Sequence, residues 1–183
     1  PGVALLSNYS DAYLGEPQFA PLLAELDRRG AVAYVHPTVA GCCQNLVRDL
    51  APAFLELPFD TTRTVASLLY SGALSQYRRI RWIFAHGGGT LPFLADRLSQ
   101  WAKARPDLAA RLPDGPMAEL RRLHFDTASV TNAAAVAAIG QLAAGVAHEI
   151  NNPVGFVNAN LGTLKGYVKD MLRMLHAYEA GGG

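Results

Sequence analysis

Apolar residues fall along this chain in two alternating rhythms. Gly2 to Asn8 (GVALLSN), Ala31 to Pro37 (AVAYVHP), Ile80 to Gly89 (IRWIFAHGGG) and Leu123 to Ala128 (LHFDTA) are short, nearly continuous apolar runs. Runs of that length, rich in β-branched and aromatic residues and closed by glycine, proline or polar residues, predict strands buried on both faces of a parallel sheet. Between them the spacing changes to three and four. Phe19, Leu22, Leu23 and Leu26 predict an amphipathic helix over Pro17 to Arg29, stopped by Gly30. Val65, Leu68, Leu69 and Leu74 line the apolar face of a helix that begins at Asp60, with Asp60 or Thr61 as its cap. Leu91 to Ala104 predicts a third helix, Arg105 to Pro116 a proline-broken loop, and residues 117–122 a helical turn. Thr38 to Pro58 is the least legible stretch, since Pro52 and Pro58 limit any helix in it. Strand and helix alternating in this way, joined by right-handed crossovers, predict an α/β fold with about four parallel strands.

Two of the strands end in a histidine, His36 and His86. The carboxyl ends of strands carry the chemistry of α/β folds, because the loops leaving them vary without disturbing the packed layers. The pair is a candidate metal or acid/base site, although the residues alone fit a structural role equally well. Asp11, Asp60, Arg63 and Asp126 lie near strand ends or in the segments after them, where they would orient a substrate, cap a helix or sit as solvated charges. From Thr131 to Ala147 the sequence is nearly all alanine, a helix former. The stretch beyond it, HEINNPVGFVNANLGTLKGYVKDMLRMLHAYEA, is helical in pattern, with Pro153 as a kink and a flexible glycine tail at 181–183. His124 and His176 read as structural or solvent-facing.

Composition adds few exclusions. Half of the 183 residues are hydrophobic and 17% are charged, the balance of a folded domain. A net charge of +1 gives no argument for nucleic acid or an anionic membrane, and no apolar run is long enough for a membrane span. The chain opens on Pro1, straight into a strand, and reads as a piece of something longer. Cys42 and Cys43 are the only cysteines; they read as two loop thiols in a reducing, cytoplasmic setting.

SNYSDAYLGEPQF, AVAYVHP, PFDTTRTVASLLYSGAL, RWIFAHGGGTLPFLADRL and LHFDTA together resemble the carboxy-terminal half of the amidohydrolase-related hydrolases and decarboxylases. That group includes aminocarboxymuconate semialdehyde decarboxylase and the hydroxybenzoate decarboxylases. The resemblance covers residues 1–138 and implies a partial (β/α)8 (TIM-type) barrel, the four strands matching its fourth to seventh. It implies a divalent metal, zinc or manganese, with His36 as a metal ligand and His86 as the acid/base beside it. The implied reaction is decarboxylation or hydrolysis of a small carboxylated or aromatic compound, with Asp11 and Arg63 as weaker substrate-binding candidates. The family's His-x-His pair and its terminal Gly-Ser/Thr-Asp-Tyr-Pro aspartate are missing. One expected metal ligand therefore stands where a catalytic site needs about three. Half a barrel also leaves two bare sheet edges and an open inner face, which favours association.

IGQLAAGVAHEINNPVGFVNANLGTLKGYV resembles a different family, the phosphoacceptor and dimerisation helix of sensor histidine kinases, over residues 139–179. The resemblance implies His148 as phosphoacceptor, Glu149 as its base and Asn152 as a water-positioning group, and that a separate kinase catalytic domain or a receiver domain is its partner. The organisation expected is a barrel segment over 1–138, a phosphoacceptor helix over 139–180 and the glycine tail. Two unrelated resemblances meeting between Asn132 and Gly140 suggest a chimera, in which neither activity need survive.

Overall fold

A computed structural model describes residues 2–44 and 46–143, all within one compact unit, Pro1–Gly145. The chain begins with strand β1 (Gly2–Leu6) and then folds a small hairpin, β2 (Asn8–Tyr9) and β3 (Ala12–Tyr13). The polar stretch after β1 forms this hairpin because Ser10 and Asp11 both take left-handed backbone angles, φ 53° and 64°, the geometry of a two-residue reversal. A 3-10 turn over Pro17–Phe19 leads into α1 (Ala20–Arg29). Gly30 ends it at φ 56°, where glycine carries no Cβ penalty, and its N–H returns to the Leu26 and Asp27 carbonyls. Strand β4 (Val32–His36) follows.

The next helix corrects the sequence reading. α2 spans Pro52–Ser71, so Asp60 is neither its cap nor near its start. Pro52 sits in the first turn, where its missing N–H has no partner to lose. Pro58, inside the helix, leaves the Phe54 carbonyl without its donor. Phe54 is 79% exposed, so water is at hand for that carbonyl. The loop before α2 holds a second correction: Cys42 and Cys43, expected as free thiols, are paired as a disulfide within the 3-10 turn Gly41–Cys43. Their adjacent Cα atoms lie 3.8 Å apart.

A short α3 (Ala73–Gln76) leads to β5 (Arg81–Phe84), and α4 (Leu91–Lys103) follows it. The proline-broken region forms two further short helices, α5 (Pro106–Ala109) and α6 (Pro116–Leu120). Strand β6 is only His124–Phe125, shorter than the run that predicts it, and α7 (Ala133–Leu142) begins where the Asn132 side chain accepts the Ala135 N–H at 2.8 Å.

The four strands form a parallel sheet in the order β1-β4-β5-β6, as the alternation predicts. One face packs under the helices: Leu5, Ala33, Val35, Trp82, Phe84 and Phe125 are buried against residues such as Leu23, Val65, Leu68 and Leu91. Burying each large side chain there contributes about 1.5 to 3 kcal/mol. Buried Glu119 is matched by Arg122 at 2.6 Å and Arg78 at 3.3 Å, so the charge carried into the core is paired. No described helix is long and apolar enough to cross a membrane.

Candidate active site

Register places the two strand-end histidines together. Val35 of β4 stands opposite Phe84 of β5, and the Ala85 N–H continues the ladder to the Val35 carbonyl at 3.1 Å. His36 ends β4, while His86 lies one residue past Ala85, at the start of the 3-10 turn His86–Gly88, and the two rings meet with centroids 5.3 Å apart in an edge-on arrangement. Both line one cavity of about 400 Å3, closed on its other sides by Ala53, Leu57, Pro58, Gly87, Gly89 and the segment from Ser129 to Ile139. That volume lies within the roughly 300 to 1,000 Å3 of small-molecule sites.

Each histidine is held through its backbone by a carboxylate. The Asp126 carboxylate accepts the His86 N–H at 2.7 Å, the Ala128 N–H at 3.0 Å and the Tyr34 hydroxyl at 2.8 Å. The Gly87 N–H adds a bond to the Asp126 carbonyl at 2.9 Å. This grip keeps His86 at φ 56°, a left-handed conformation that costs a non-glycine residue on the order of 1 kcal/mol. The glycines beyond it are needed for close approach: a Cβ on Gly88 would lie 2.6 Å from the Phe125 ring, and one on Gly89 2.0 Å from the Pro58 carbonyl oxygen.

Asp60, fully buried in mid-helix, does the same for His36 through a relay. It accepts the Ser7 hydroxyl, the Asn8 amide at 2.7 Å and the Tyr13 hydroxyl at 2.6 Å, with Arg63 Nη1 at 3.6 Å. Ser7 in turn accepts the Thr38 N–H at 2.9 Å and donates its own N–H to the His36 carbonyl at 3.0 Å. His36 Nδ1 donates to the Pro37 carbonyl at 3.0 Å, since a carbonyl can only accept. In neutral His36 the lone pair is therefore on Nε2, the form in which histidine ligates metals.

The remaining expected site residues fall elsewhere. Asp11 accepts the Gly41 N–H at 2.6 Å and lies beside a separate surface hollow with Asn8, Thr38 and Gln44. Arg63 faces Asp60, Glu56 at 4.0 Å and Cys43 Sγ at 3.6 Å, outside the histidine cavity. Asp126 is neither cap nor free charge but the latch of the His86 loop. Sequence reading missed Tyr34, which two-residue alternation along β4 places on the face of His36. It also missed the polar lining at Ser129, Thr131 and Asn132. His148, Glu149 and Asn152 lie outside the described residues.

Among the described residues no group of three or more His, Cys, Asp or Glu is placed to hold a metal ion. His36 has the chemistry of one ligand, but these residues alone do not make a metal site.

The amidohydrolase family profile matches residues 1–144. The chain belongs to the amidohydrolase family. It is 37% identical over 147 residues to the 6-methylsalicylic acid decarboxylase acuB of Aspergillus aculeatus, covering 78% of this chain and 44% of that protein. It is 34% identical to the 6-methylsalicylic acid decarboxylase of Penicillium expansum, covering 78% of this chain and 45% of the relative. The chain thus spans less than half the length of these curated relatives. In structure it superposes on 5-carboxyvanillate decarboxylase LigW from Sphingomonas paucimobilis with a TM-score of 0.65 at 21% identity, covering 77% of this chain and 44% of that one. The related enzyme from Novosphingobium aromaticivorans, crystallised with manganese and a nitrobenzoic acid, gives 0.62 at 18% identity, over 77% and 43% of the two chains. These likenesses establish the partial barrel. The family match runs to residue 144, past the interval from Asn132 to Gly140 in which a change of family was expected.

Two outcomes follow from the backbone and the relay. His86→Gly should be more stable than His86→Ala by about 1 kcal/mol in urea denaturation, because glycine alone accepts φ 56° freely; equal stabilities would remove the strain. Burial, and then the Asp60 carboxylate, raise the Tyr13 phenol well above its ordinary value near 10. The folded state thus prefers the neutral phenol, and its contribution is complete below about pH 10 and lost as pH rises further. The denaturation midpoint should fall more steeply above about pH 10 in the wild type than in Tyr13→Phe, with no difference in slope below that pH.

Proposed function

We propose that this chain is a segment of a decarboxylase for a small aromatic carboxylic acid, in which His86 delivers the proton that replaces carbon dioxide. The observation that carries the reading is the pairing of His36 and His86 on one cavity at the carboxyl ends of neighbouring strands, in a chain 37% identical to a 6-methylsalicylic acid decarboxylase. The protonated imidazole of His86 donates to the ring carbon that bears the carboxylate. The bond to the carboxyl carbon then breaks, its electron pair restores the aromatic ring, and carbon dioxide leaves. His86 regains its proton from solvent. Ala53, Leu57, Val130 and Ile139 supply apolar walls for the ring, and Ser129, Thr131 and Asn132 supply polar groups for its substituents. His36 contributes Nε2 as one donor of a divalent-metal set, zinc or manganese, whose other members the described residues do not include.

Binding and turnover test this separately. Titrating the chain with 6-methylsalicylic acid should shift the ring C–H resonances of His36 and His86 while His124 stays put; no shift at either would sink the assignment. In the decarboxylase that carries this segment, His86→Ala should lower the rate of carbon dioxide release by about 100-fold or more, the usual scale of a lost general acid.

A second reading concerns residues that the amidohydrolase match does not reach. The motif HEINNP supports His148 as a phosphoacceptor, with Glu149 as base and Asn152 beside it, served by a separate kinase catalytic domain. Incubation with a histidine-kinase catalytic domain and labelled ATP should give acid-labile phosphate that is lost in His148→Ala. Equal labelling in the variant would exclude this acceptor.

A further inference from the structure

The disulfide between β4 and α2 joins neighbours in the chain, Cys42 and Cys43. A bridge between adjacent residues closes no long loop, so it gains little of the stability that a structural disulfide draws from constraining the unfolded chain. The turn that carries it is held by other means. The Cys43 N–H donates to the Ala40 carbonyl at 3.0 Å, the Gly41 N–H to the Asp11 carboxylate at 2.6 Å and the Thr38 N–H to the Ser7 hydroxyl at 2.9 Å. None of these bonds needs the sulfurs joined, and the pair can open and close while the turn stays in place.

The two sulfurs have different surroundings. Cys42 is exposed, whereas Cys43 is buried at 7% exposure. Arg63, reaching back from α2, places Nη2 3.6 Å from the Cys43 sulfur. Nη2 is nearer that sulfur than the Glu56 carboxylate, which stands at 4.0 Å. The other nearby carboxylate, Asp60, is already served by Ser7, Asn8 and Tyr13. A guanidinium beside a sulfur favours the thiolate, and a disulfide breaks faster when the departing sulfur is the better-stabilised anion. Access therefore selects Cys42 for attack, and charge selects Cys43 as the leaving group.

We infer that Cys42–Cys43 is a thiol-exchange site for low-molecular-weight thiols, with Arg63 holding the Cys43 thiolate. The thiolate of a small thiol attacks Cys42 Sγ, the bond between the two cysteine sulfurs breaks, and its electron pair stays on Cys43 Sγ beside Arg63. Cys42 then carries the small thiol as a mixed disulfide. A second small thiol attacks the sulfur of the first, and Cys42 leaves as a thiolate. The two small thiols are oxidised to their disulfide, the cysteine pair is reduced, and the protons of the small thiols pass to Cys42 and Cys43. The reverse sequence closes the bridge again. The inference is independent of decarboxylation, since it uses neither His36 nor His86.

The full chain, purified without reductant and then denatured, should show no titratable thiol. Brief exposure of the folded chain to 2-mercaptoethanol, an iodoacetamide quench and tandem mass spectrometry should place the mercaptoethanol on Cys42 and the alkyl group on Cys43. This reading needs no substitution and stands even where a variant fails to fold. Arg63→Gln should slow the first step roughly 3- to 10-fold, the scale of a leaving thiol raised by one or two pKa units, and Arg63→Lys, which keeps the charge, should recover most of the rate. In Cys42→Ala, ultraviolet titration of the Cys43 thiolate should give a lower midpoint than the same titration with Arg63→Gln added. Free thiols in the chain as purified, an adduct on Cys43, an unchanged rate in a folded Arg63→Gln, or equal titration midpoints would each overturn the inference.

Discussion

In a parallel sheet every strand delivers its carboxyl end to the same side, and that constraint governs the rest of this molecule. Once Val35 and Phe84 are level across β4 and β5, the residues that follow must emerge side by side. The register puts His36 and the turn that follows β5 on the same side, and the left-handed backbone of His86 in that turn brings the two rings to 5.3 Å, although a long helix and a loop separate them in the chain. An antiparallel pairing of the same strands would have sent the two rings to opposite ends of the sheet.

Level strands bring the rings close but do not fix them, and two aspartates complete the task. Asp126 takes the His86 N–H directly, holding a backbone conformation that histidine would otherwise leave. Asp60 acts at one remove, through Ser7, on the backbone either side of His36. Both carboxylates are satisfied by several donors, which is what makes buried or half-buried acids tolerable. The arrangement leaves the imidazole rings free to face the cavity, because the protein grips main chain and not ring, apart from the Nδ1 contact to Pro37.

Amidohydrolase membership and the parallel sheet agree on a barrel, while the chain covers 44% of its decarboxylase relative. Among the described residues the sheet has an apolar face with no layer over it, and the pair of imidazoles has no third metal donor. Proton transfer needs a cavity and one titratable ring; metal chemistry needs a fuller ligand set. These are separate demands, and the described residues meet the first.

The order of strands and helices, the parallel class of the sheet, and the two histidines at strand ends were legible in the sequence because they are set by local periodicity and by glycine and proline at boundaries. Gly30, for example, stops α1 by its own backbone freedom wherever the helix lies. The start of α2 was not legible: local preference favours breaking at Pro58, and only packing of a 20-residue helix against the sheet and the glycine loop outweighs the lost bond. Nor could the sequence show that Asp60 lies in the core or that Asp126 is a latch, since both roles depend on donors far away in the chain, Ser7 and Tyr13 for one, Tyr34 and His86 for the other. Sequence alone thus determined that two histidines follow neighbouring strands of a parallel sheet; tertiary structure decided which charges hold them, because hydrogen bonds between distant segments exist only once the register has brought those segments together.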